Sequence, residues 1–149
     1  MHHAELDPAL ACRLIGGPRS MSAVVDEVLR SPAMRNSVGA RSPEAIDLLG
    51  LALNEVLYSV HEFAGEQTEA DGSCVELWAE ATVMIVTVKF RGAALPSWLL
   101  ANWDRGREPA MLAPPHEAGW GWLLVREALD SVSHVWADSQ QILFLERRT

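Results

Sequence analysis

Glu55 and Ser59 lie four residues apart on a stretch with helical periodicity, which brings a carboxylate and a hydroxyl to one helix face, with Glu62 beside them. A serine hydroxyl there can ligate Mg²⁺, as the hydroxyl of a phosphate-binding loop does, though on a short arm. A second station ends an apolar strand as Val88-Lys89-Phe90-Arg91-Gly92-Ala93-Ala94. Glycine at such an end lets the backbone pass close to a ligand. A third, Gly119-Trp120-Gly121, precedes an apolar helix, where glycines can turn backbone N–H groups and the positive dipole end toward phosphate. Each has an everyday reading as well. Glu55 suits a solvated helix face, Phe90 a core aromatic, and a Gly-x-Gly pair is commonly a turn.

The elements that must position these residues follow from periodicity. A strand is expected over residues 9–15, closed by Gly16-Gly17-Pro18, and a helix over 20–29, with Met21, Val24, Val25, Val28 and Leu29 at helical spacing. Residues 32–41 read as a connection with a short helical continuation before Gly39. The helix carrying Glu55 starts at a Ser42 cap with Pro43 in its first turn and Glu44 and Asp47 near its positive end. Its apolar stripe is Ile46, Leu49, Leu53, Val56, Leu57 and Val60, and Gly65 stops it. Val75, Leu77 and Ala79 alternate with Glu76, Trp78 and Glu80. In 83–90, Met84, Val86, Val88 and Phe90 share one side. Residues 93–118 hold Pro96, Gly106, Pro109, Pro114 and Pro115, the composition of a lid or binding loop. A helix over 122–132 and strands over 133–137 and 142–146 complete one α+β domain over 1–149, a mixed sheet covered on one face by helices.

In order and spacing, the three stations resemble the nucleotide pocket of the GHKL ATPase superfamily, the histidine-kinase catalytic-domain type of two-layer α/β sandwich. Within it they are most similar to the anti-sigma-factor serine kinases. The likeness covers about residues 45–147. It implies Glu55 as base, Ser59 at the position of an asparagine that holds Mg²⁺, and Phe90, Gly92 and Ala94 at an Asp-x-Gly-x-Gly motif that fixes adenine. It also implies that Gly119 and Gly121 line the phosphates. The chain departs from the pattern at three places: Ser59 for Asn, Phe90 for Asp, and Ala94 for Gly. A phenyl ring cannot accept the adenine hydrogen bond, and a site that loses a buried polar contact loses discrimination heavily.

Composition narrows the rest. At 149 residues a chain buries roughly 68–70% of its unfolded surface, enough for a core without staples. A net charge of −8 disfavours a nucleic-acid surface and permits partners with basic faces. No run reaches the roughly 18 apolar residues of a spanning helix, no secretory signal is read at the start, and Cys12 and Cys74 suit free thiols in a reducing cytosol. The expected location is cytoplasmic. His61-Glu62 lacks the proline-bearing continuation of a phospho-accepting histidine, so His61 is expected to be exposed. Trp98 and Trp103 suit either a protein interface or a plug at the pocket mouth. The leading reading is a pseudokinase-like transcription regulator with no cofactor. It would act by partner switching with a sigma factor or an anti-sigma antagonist. The alternatives are an active serine kinase using ATP and Mg²⁺, with Arg91, Arg105 and Arg107 as cations, and a small-molecule sensor in the altered pocket. Members of that family often dimerise, so a homodimer is a further expectation.

Overall fold

Met84, Val86, Val88 and Phe90 are all fully buried along one side of a central strand, and the fold is built around that side. The computed structural model describes residues 7–36, 43–80, 82–97, 99 and 117–148. Its elements run β1 (Leu10–Arg13), α1 (Pro18–Arg30), α2 (Pro32–Met34), α3 (Pro43–Ser59), β2 (Cys74–Ala79), β3 (Val83–Phe90), α4 (Glu117–Ala128), β4 (Ser131–Ala137) and β5 (Gln140–Arg148). The strands form one sheet in the order β1-β2-β3-β5-β4. Every pairing is antiparallel, so the expected mixed sheet is corrected to an antiparallel one. The tight β4–β5 hairpin places β5 beside β3, and β4, which runs parallel to β3, never touches it. The domain is α+β, and no helix among the described residues is long and apolar enough to cross a membrane.

Several boundaries move for identifiable reasons. α1 begins at Pro18, because proline suits the first helical position. β1 is shorter than expected, and beyond it Leu14 donates to the Ser73 carbonyl at 2.9 Å. α4 starts at Glu117, five residues before the expected 122, and stops at Ala128, four before the expected 132. β4 and β5 extend past the expected 133–137 and 142–146. The Ser42 cap, Gly39 and most of the 93–118 excursion, including Trp98, Trp103, Arg105 and Arg107, lie outside the described residues. Its described start is anchored, with Leu95 and Leu99 buried in the core.

The core lies between one sheet face and the helices. Leu77, Val86, Leu143 and Leu145 supply the sheet side, Leu49, Leu53, Val56 and Leu57 come from α3, and Val25 and Val28 from α1. α1 and α3 approach closely at Gly50, where a Cβ would stand 2.8 Å from Leu29 Cδ1. The opposite sheet face is a shallow groove of about 430 Å³, lined by Trp78, Ile85, Ile142 and Phe144 and by Lys89 paired to Glu76 at 2.8 Å. The hydrogen bond to Glu76 raises the Lys89 pKa above its usual value. Cys12 and Cys74 are both free, one facing the core and the other the groove side of neighbouring strands. Burial, with the thiol donating to Glu27 Oε2 at 3.1 Å, pushes Cys12 up to about 12.

The β4–β5 turn places Asp138 (φ 53°) and Ser139 (φ 62°) in the left-handed region. A two-residue turn with both φ values positive matches the twist of the flanking strands. Asp tolerates that conformation and serine does so less well. Ser139→Gly is expected to stabilise the fold by roughly 0.5–1 kcal/mol, the relief of strain exceeding the added unfolded-state entropy. Urea unfolding of the variant beside the native chain measures it.

Candidate functional site

α3 holds the first station and reaches the other two. Its apolar residues face the sheet, and past Ser59 it widens into one π-helical turn, Val60–Ala64, stopped by Gly65 at φ 106°. Such turns are rare and often mark functional sites. Glu55 is half-buried and borders a cleft of about 180 Å³ formed with Pro18, Met21, Ser22, Asn54 and Tyr58. Its side chain also lies against α4. A Cβ added at Gly121 would collide with the Glu55 carboxylate and come within 2.9 Å of Glu55 Cγ. The structure therefore brings Glu55 and Gly121 together. Gly119, expected ahead of the helix, falls in its first turn. Gly121 falls one turn in, where N–H groups enter the helical ladder.

Ser59 sits on no solvent face. It is fully buried, and its hydroxyl accepts a 2.8 Å hydrogen bond from the indole N–H of Trp122, itself fully buried. Indole is a donor only, and a buried indole N–H needs an acceptor. The hydroxyl expected to face a metal is thus directed at a side chain of the same molecule. Nothing in the local sequence pairs Trp122 with Ser59, which lies 63 residues earlier.

The strand end is held by two buried glutamines. Gln67 accepts from the Arg91 N–H at 2.9 Å and donates to the Arg91 carbonyl at 2.8 Å. It also accepts from Ser73 Oγ at 2.5 Å and donates to the Gly65 carbonyl at 3.0 Å, which meets all four of its hydrogen-bonding needs. Its amide acts as a surrogate strand for Arg91. Gln141, paired with Phe90 across β3 and β5, donates to the carbonyls of Ala93 (2.8 Å) and Gly92 (3.3 Å). It accepts from Leu95 N–H at 3.3 Å and contacts His134 Nε2 at 3.0 Å. Phe90 is fully buried on the helix-facing side, and Ala94 is exposed in the segment that Gln141 holds. Gly92 has φ 125°, and a Cβ there would clash with the Ala64 carbonyl, so this glycine is required by the approach of the π turn. The Arg91 guanidinium is engaged with the carbonyl of Asp71 at 3.0 Å. His61, expected to be exposed, is half-buried within the π turn, and its Nδ1 is buried with no hydrogen-bond partner among the described residues.

Gln141 was legible in principle, since it alternates with Leu143 and Leu145 on the core face. Gln67 carried no such signal. No protein-family model matches the chain, and no curated protein matches its sequence.

Two outcomes are expected. Trp122→Phe keeps most of the ring volume and removes the N–H, costing about 1–2 kcal/mol in urea unfolding. Gly121→Ala in a Glu55→Ala background gains up to about 1 kcal/mol of helix propensity. In the native background, collision with Glu55 removes most of that gain. A double-mutant cycle reads the coupling, and additive effects would show that the two residues do not touch.

Proposed function

We propose that this chain is a regulator of the anti-sigma-factor serine kinase type that works by protein–protein partner switching and has lost ordinary ATP use. The observation that carries this reading is the buried Ser59–Trp122 hydrogen bond, which commits the hydroxyl at the metal-facing position to an internal donor. Phe90 adds to it, a fully buried ring where adenine recognition needs a carboxylate. The cleft beside Glu55, about 180 Å³, is smaller than the roughly 300–1,000 Å³ of most small-molecule sites. Gly92 is accounted for by the π turn, with no ligand needed.

On this reading the output is set by competition between partners, a sigma factor and its antagonist, with the difference in their affinities fixing which complex forms. A net charge of −8 favours partners that present basic surfaces. Glu55 then helps to hold α4 in place and abstracts no proton.

Isothermal titration with ATP and Mg²⁺ tests the loss of nucleotide use. The expected result is no binding heat with nucleotide in large excess over protein, and no phosphate transfer to a serine-bearing antagonist. Micromolar binding, or phosphotransfer that disappears in Glu55→Ala, would overturn the proposal in favour of an active kinase.

A further inference from the structure

β4 is an outer strand of the sheet, and within its own seven residues it has none of the devices that usually keep such an edge from pairing. It runs seven residues, Ser-Val-Ser-His-Val-Trp-Ala, with no Lys, Arg, Asp, Glu, Pro or Gly. Its register against β5 is continuous from Ser131↔Glu146 to Ala137↔Gln140, so no bulge twists it away. Val135 and Trp136 are 43% and 53% exposed, which leaves two apolar side chains open on this one strand. The other edge, β1, has only four residues and carries Arg13. Beyond its partner β5, β4 has no main-chain hydrogen bond among the described residues.

The two-residue turn fixes which groups are open. Ala137 and Gln140 close the hairpin, so Ala137, Val135, Ser133 and Ser131 bond inward to β5. Val132, His134 and Trp136 direct their N–H and C=O outward. These three lie symmetrically about His134, the middle residue of the strand. A second β4 can therefore pair with it antiparallel about a two-fold axis through His134, using every outward group of both strands.

We propose that two copies of this chain associate through β4, joining their sheets edge to edge into one continuous ten-stranded sheet. In that register Val132 lies opposite Trp136 of the second copy, and Ser133 opposite its Val135. An aromatic–β-branched pair is a favourable cross-strand match. The occupant is a second copy because the edge is complementary to itself. The strand itself bears no carboxylate or ammonium, and the carboxylates that flank it are Asp130 and Asp138 at its two ends, the first accepting from the Arg148 N–H. The contact area of an edge is small, which makes the association concentration-dependent. This inference does not rest on the regulatory reading.

Sedimentation velocity over a concentration series tests it. The native chain is expected to shift from monomer to dimer. Trp136→Lys, a change at an exposed position, is expected to lose the dimer while keeping its circular dichroism spectrum and unfolding midpoint. Register is tested by oxidising a mixture of Ser133→Cys and Val135→Cys chains. Opposed residues in a non-hydrogen-bonded pair stand about 4.5 Å apart at Cα, within disulfide reach. The mixture should cross-link through these positions, and each variant alone should not. A native chain that stays monomeric throughout, a dimer that survives Trp136→Lys, or equal cross-linking in the single-variant samples overturns the proposal. A foreign strand as the true occupant would appear as the first of these outcomes.

Discussion

A tryptophan buried to the last atom must still place its one N–H, and the position of α4 on α3 follows from how Trp122 does so. The acceptor within reach is Ser59 Oγ, at 2.8 Å. An unpaired donor at that depth would cost about 1–3 kcal/mol, enough to shift the helix or expose the ring. With the bond made, α4 lies close enough to α3 that the residue before Trp122 has no room for a Cβ beside Glu55. Gly121, Ser59 and Glu55 thus form one packing unit. Their spacing in the sequence suits a ligand site, and their contacts suit a helix–helix seam.

The same economy governs the end of β3. Main-chain groups leaving the end of a strand need partners, and those of Arg91, Gly92 and Ala93 find them in buried side chains. Two glutamine side chains replace the missing strands, each carrying the same amide chemistry as a peptide unit. The result is a rigid start to the excursion that follows, with Leu95 and Leu99 seated in the core.

Much of this architecture is legible in the sequence. β3 coincides with the expected 83–90 because alternation of large apolar residues over eight positions has one interpretation. α3 is equally plain from its stripe and its stop at Gly65. The start of α4 is not, because Gly119 and Gly121 read as breakers while contact with α3 offsets their helical cost. The sheet order is also hidden, since nothing in the local pattern of β5 says that it inserts between β3 and β4. Ser59 misleads for a different reason. One turn from Glu55 it looks like part of a wet face, and the indole that buries it comes from 63 residues away.

Gly92 bears on how far a motif can be trusted. The carbonyl of Ala64 excludes any side chain there. A glycine at this position therefore answers to the fold and carries no information about a ligand. Phe90 fills the core and Ala94 is exposed, so neither is held by a backbone contact of this kind.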